Sequence, residues 1–203
     1  MTAAVSGLSD ARAVVPGREC GSCTLCCKVY NVVELGKPPG KWCSHCKPGR
    51  GCTIHDNLPS ECAVFNCLWR TESAMSMQWK PDQSKMVLTV HPETSNIHVM
   101  VDPGLPSAWS RPPYHDQLRL LSKNNMAKGH LVVVFVNELA TLILPDQDVQ
   151  LGVLTHGQAV SVTQEAGPNG AVYEVRIFNR RTTANGQTLE MASTSRHPVR
   201  PAA

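Results

Sequence analysis

The chain has 203 residues, enough for one good core or for one core plus a small module held by metal. Its formal net charge of +3 and pI near 8.4 permit acidic partners without demanding them. The longest apolar run, residues 131–136, is far shorter than the roughly 20 residues of a membrane helix, which excludes a helical membrane span and a membrane partner. Residues 1–19 lack an apolar segment behind a basic one, so no secretory signal is expected. A cytoplasmic protein with reduced thiols follows from that reading.

Taken in order, residues 1–15 are small and polar and read as a loose lead-in. Residues 16–75 form a cysteine module that contains all nine cysteines of the chain. The segment is punctuated by Gly21, Gly36, Pro38, Pro39, Gly40, Pro48, Gly49, Gly51 and Pro59 and has few apolar stretches. It cannot build an ordinary core from its own side chains and is expected to be stapled by metal. Residues 71–83, with Met75, Met77 and Trp79, read as a short helix or packing strap.

Residues 80–179 read as an α+β unit. Segments 85–91 and 96–102 form one predicted hairpin, and 131–136 and 139–144 a second around Asn137-Glu138. Between them residues 111–126 are helical in pattern, with Tyr114, Leu118, Leu121 and Asn125 on one face and Gly129 as the stop. Strands are expected at 149–154, 159–164 and 171–178, divided by turns at His156-Gly157 and at 167–170. Residues 180–203, rich in Thr, Ser, Asn and Arg, read as a disordered tail. The expected fold class is therefore α+β: a small, metal-stapled, loop-rich module followed by a mostly antiparallel sheet with one main helix.

The cysteines carry the chemistry. They run Cys20-x2-Cys23-x2-Cys26-Cys27, then Cys43-x2-Cys46, Cys52, Cys62 and Cys67. Cys-x2-Cys is the spacing at which a tight turn aims two sulfurs at one ion. Two such steps, Cys20 to Cys23 to Cys26, match the first three ligands of bacterial-type ferredoxins and equally suit zinc, so spacing alone leaves the metal open. Neighbouring side chains diverge, so Cys26 and Cys27 suit two adjacent sites or one polynuclear cluster. Arg18, Lys28, Lys37, Lys41, Lys47, Arg50 and Arg70 outnumber Glu19, Glu34, Asp56 and Glu61, a surplus that offsets thiolate charge.

These residues resemble a known family. Cys20-Gly21-x-Cys23-x2-Cys26-Cys27, Trp42-Cys43-x-His45, Gly51-Cys52-x-Ile54, Pro59-x2-Cys62 and Phe65-x-Cys67 are similar to the YkgJ-type, CxxCxxCC cysteine-cluster proteins, described as zinc- or iron-chelating. The resemblance covers residues 18–70. It implies eight metal ligands, at Cys20, Cys23, Cys26, Cys27, Cys43, Cys52, Cys62 and Cys67. Cys46 stands where that family has an apolar residue, Leu58 replaces an arginine before the proline, and His55 an aromatic residue.

Cys46 is thus open between extra ligand and spectator, and His45 and His55 between replacement ligand and surface imidazole. Trp42 and Trp69 are expected to shield the cluster, and Trp79 and Trp109 to pack. The first functional expectation is a metal-binding protein that chelates zinc or iron, with the sheet domain as a platform for a protein partner. The alternative is an iron–sulfur redox protein or enzyme component. A zinc-ribbon-like module for nucleic acid or protein is weakest, because its basic residues are not interleaved with a row of aromatics. No catalytic triad, carboxylate pair or cofactor-binding glycine loop stands out, which leaves enzymatic activity open.

Overall fold

The glycines and prolines of the first third allow only short elements in the computed structural model, which describes residues 13–155, 157–168, 170–183 and 186–200. In order these are α1 (Cys26–Val29), a hairpin of β1 (Cys46–Lys47) and β2 (Gly51–Cys52), α2 (Ser60–Ala63), α3 (Leu68–Thr71) and α4 (Pro81–Ser84). Helices of one turn are not stable alone, so tertiary contacts must hold them. Leu25, Val29, Leu68, Trp69 and Trp79 supply those contacts and are all buried.

The main sheet comprises β3 (Met86–Val90), β4 (Ile97–Val101), β5 (Val132–Val136), β6 (Leu139–Ile143) and β7 (Asp148–Val153), in that spatial order. Helix α5 (Tyr114–Met126) connects β4 to β5, and these two strands pair in parallel. The other pairings in this sheet are antiparallel. Asn137, at φ 55°, turns the chain between β5 and β6, a conformation that asparagine tolerates better than most residues. Helix α5 stops near Gly129, whose φ of 78° continues no right-handed helix.

Alternation along the strands divides their side chains between two cores. Val132, Val134 and Ile143 join Leu118 of α5, while Val133, Ala140 and Leu142 join Tyr173 and Val175 of a second sheet. Ser122 of α5 donates to the Ile143 carbonyl at 2.5 Å, a buried bond that fixes the helix on the sheet. The second sheet is the antiparallel set β8 (Gln158–Gly167), β9 (Gly170–Thr183) and β10 (Gly186–Pro198), with β9 in the centre.

The fold is α+β, with a mostly antiparallel main sheet and one main helix. Both expected hairpins and the helix are present. Three features differ from the sequence reading. The later strands leave the main sheet and form their own. Residues 180–183 and 186–198, expected to be a disordered tail, extend β9 and supply β10, with Thr182 paired to Gln187 and Thr183 to Gly186; the sequence carries the dipeptide Asn185-Gly186 here. That dipeptide is a strong hairpin signal, masked by the low apolar content of the flanking strands. The Gln147 side chain donates to the Pro198 carbonyl at 2.7 Å and ties the end of β10 to the main sheet.

The third difference concerns the boundary expected near residues 75–80. Leu25, Val29, Cys67, Leu68 and Trp69 lie in the same core as Met86, Val87, Val99, Leu118 and Val134. Tyr30 is hydrogen-bonded to Thr89 of β3 at 2.8 Å, and Lys28 pairs with Asp102 at 2.6 Å. The cysteine segment is therefore packed onto the sheet rather than standing as a separate core. Of the expected lead-in, residues 1–12 lie outside the described residues, and Val15 donates to the Arg70 carbonyl at 2.8 Å. Residues 201–203 also lie outside them. Among the described residues no helix is long and apolar enough to cross a membrane.

Candidate metal centre

Two local frameworks position the thiols. The first is a clamp built by Arg18. Its guanidinium donates to the carbonyls of Trp69, of Glu72 at 2.7 Å, of Ser73 at 3.0 Å and of Met75 at 2.6 Å, and lies over the Trp69 ring. The segment that leads into Cys20 is thereby held against α3, which begins immediately after Cys67. Within this region Cys23 donates its N–H to the Cys20 carbonyl at 2.9 Å, the tight turn expected of Cys-x2-Cys. Cys20 is exposed, Cys23 half-buried and Cys67 buried. Burial pushes the Cys23 and Cys67 thiols up, and the Cys20 thiol adds to both shifts.

The second framework joins α1, the turn at residues 43–46, the β1–β2 hairpin and α2. The Cys43 N–H donates to the Cys27 carbonyl at 3.1 Å and the Cys46 N–H to the Cys43 carbonyl at 3.0 Å. Cys46 then lies directly opposite Cys52 in the hairpin register. Thr24, just before α1, accepts from the Gly49 N–H at 3.1 Å and so holds the hairpin loop. Cys62 sits on α2. That helix is fixed to the turn at Val33–Leu35 by Glu34, which accepts from the Ser60 N–H at 3.2 Å, and by Glu61, which accepts from the Val33 N–H at 2.9 Å.

Electrostatics within this second set show mutual proximity. Hydrogen bonding with Cys26, followed by burial, pushes the Cys27 thiol far above its usual range, while hydrogen bonding with Cys46 acts in the opposite direction. Burial and then the Cys27 thiol push Cys46 up to about 11. Burial also raises Cys62, with contributions from Cys27, Cys43 and Cys52. Beside Cys26, Cys27, Cys43 and Cys62 stands Lys37, which in the sequence is one of several surplus cations. It is 7% exposed, and its ammonium donates to the Lys28 carbonyl at 2.9 Å and to that of Tyr30. Burial lowers its pKa, and Cys27, Cys43, Cys26 and Cys62 all act to raise it. A lysine flanked by Gly36 and Pro38 gives no sequence signal of burial; only the fold reveals it.

The candidate ligands therefore fall in two sets: Cys20, Cys23 and Cys67 by the clamp, and Cys26, Cys27, Cys43 and Cys62 about Lys37, with Cys46 and Cys52 attached through the hairpin. All nine cysteines are free thiols. Among the described residues, no three His, Cys, Asp or Glu side chains converge so as to hold an ion. The donor chemistry suits a thiophilic metal, since soft sulfurs lie beside a buried cation and within turns; the final convergence of donors is not formed.

His55 is exposed in the turn His55–Asn57, and His45 is engaged through its carbonyl, which accepts from the Thr53 N–H at 2.8 Å. Trp42 is 41% exposed with Lys28 over its ring, so it covers less of the thiols than expected. Trp69 is buried between Arg18 and Lys80. Trp79 packs as expected and donates to Gln117 of α5 at 2.7 Å, and Trp109 rests against His115.

These features define a cysteine-rich α+β protein whose thiols are collected on one flank of a sheet. Compared with family models, with curated proteins and with solved structures, the chain finds no match.

Proposed function

We propose that this is a cytoplasmic metal-binding protein that chelates zinc or iron through its cysteine cluster, a function shared with the YkgJ-type proteins it resembles. The observation that carries the reading is the placement of Cys26, Cys27, Cys43 and Cys62 about the buried ammonium of Lys37, with Cys46 and Cys52 joined to them through the β1–β2 hairpin and the Cys43 turn. A buried cation beside neutral thiols offsets no charge; beside metal-bound thiolates it does. The eight ligands implied by the resemblance, Cys20, Cys23, Cys26, Cys27, Cys43, Cys52, Cys62 and Cys67, would hold the metal. Zinc would supply a redox-inert cross-link, and iron a centre able to exchange electrons. Binding would draw the gathered donors together, since metal coordination and local folding are coupled. The main sheet would offer its remaining surface to a protein partner.

The iron–sulfur redox reading is favoured by Cys26 and Cys27, adjacent thiols within one gathered set, whose diverging side chains suit a polynuclear centre. One measurement tests both: metal and acid-labile sulfide content of protein purified without oxygen, with its visible spectrum. Zinc without sulfide supports chelation by a colourless site. Iron with matching sulfide and a broad visible band moves the assignment to a redox centre. Protein that neither contains nor takes up either metal refutes the proposal.

A further inference from the structure

We propose that Cys46 is a metal donor together with Cys26, Cys27, Cys43, Cys52 and Cys62, and that the nine thiols divide into this set of six and a separate set of Cys20, Cys23 and Cys67. The proposal rests on the metal-binding reading and states which thiols act together.

Three contacts place Cys46 with the set. It faces Cys52 across β1–β2, and directly opposed residues of antiparallel strands have Cβ atoms about 5 Å apart. An ion held by Cys52 is therefore within reach of the Cys46 sulfur. Its N–H bond to Cys43, and that of Cys43 to Cys27, link the three backbones in one hydrogen-bonded series. Thr24 holds the Gly49 end of the hairpin, so the strand that bears Cys46 is fixed on both sides. An apolar side chain, as the resembled pattern has at this position, would also fit a half-buried site. This chain instead presents a thiol opposite another thiol.

The division has a structural cause. Cys20, Cys23 and Cys67 depend on the Arg18 clamp, which Arg70 completes by donating to the Arg18 carbonyl at 3.4 Å and to Asn66 at 2.8 Å. The six others depend on α1, the hairpin and α2, held by the Cys43–Cys27, Cys46–Cys43, Gly49–Thr24 and Ser60–Glu34 hydrogen bonds rather than by Arg18 or Arg70.

The test is thiol footprinting of the full chain, reduced and oxygen-free, loaded in parallel with zinc ions and with ferrous ions plus sulfide. Alkylation at each cysteine is read by peptide mass spectrometry during graded chelation. Cys46 is expected to be protected and released together with Cys27 and Cys52, in a step separate from Cys20, Cys23 and Cys67. In Cys46→Ser and Cys46→Val, alkylation of Cys27 and Cys52 should accelerate about tenfold or more, with Cys20 and Cys23 unchanged. Rapid alkylation of Cys46 while Cys27 and Cys52 stay protected would overturn its assignment and leave the metal-binding reading intact. Release of all nine thiols in a single step would overturn the division. Equal alkylation in loaded and metal-free protein would refute the metal-binding reading, and this proposal with it.

Discussion

Replacing Lys37 by methionine is expected to weaken both folding and metal binding, by separable amounts. The ammonium donates to the carbonyls of Lys28 and Tyr30, in a position that is 7% exposed. A carbonyl left without its donor costs about 1–3 kcal/mol, less where water reaches it. Methionine avoids the cost of burying a charge, which the lowered lysine pKa shows to be present. The balance is a loss of about 1–3 kcal/mol in the metal-free protein. Metal binding loses more, because the ammonium is then absent from beside several thiolates. An adjacent opposite charge favours a thiolate by about one pKa unit or more, or about 1.4 kcal/mol, so affinity should fall at least about tenfold. Lys37→Gln keeps a donor without the charge; it should recover part of the folding loss and none of the affinity loss. Urea denaturation after chelation reads the first quantity, and competition against a zinc chelator the second. Wild-type affinity in Lys37→Met would refute the argument that the buried charge serves metal-bound thiolates.

Further expectations follow from the same contacts. In metal-free protein the raised thiols, including Cys46 at about 11 against a usual 9.0, keep their protons in the folded state when the unfolded chain has lost them. The Cys46 contribution is complete below about pH 9 and is lost as pH rises through about 11, with Cys27 extending the loss to higher pH, so the urea midpoint should fall from about pH 9 upward. Metal loading should flatten the fall, because ligating thiols are already deprotonated; a flat midpoint in metal-free protein would contradict the shifts. Arg18→Ala removes donors from four carbonyls and is expected to cost about 2–4 kcal/mol. It should speed alkylation of Cys20 and Cys67 without affecting Cys27 and Cys52, and equal acceleration at all four would show that the clamp is not local. Leu118→Ala opens a cavity at a fully buried site and should cost about 2–5 kcal/mol. Because Leu118 shares a core with Leu25, Val29 and Trp69, circular dichroism and thiol exposure should report one transition. Two separate transitions would restore an independent cysteine module.

The sequence by itself determined the secondary elements of residues 85–144. Their apolar period changes from two to 3.6 and back, and turn residues such as Asn137 and Gly129 leave few other conformations. It also pointed to the cysteine segment as the candidate site, because thiols at Cys-x2-Cys spacing are a local signal. Tertiary structure decided the rest. The parallel pairing of β4 with β5 depends on where α5 lies, and the separation of β8–β10 depends on which strand edges meet; neither is encoded in a local window. The continuity of the cysteine segment with the main core arises because one-turn helices find burial only against distant partners. Lys37 shows the limit most plainly: in the sequence it is one cation among seven near the cysteines, and only the closure of α1, the hairpin and α2 buries its charge among thiols. Local periodicity is a property of neighbours along the chain, whereas burial of charge is a property of neighbours in space.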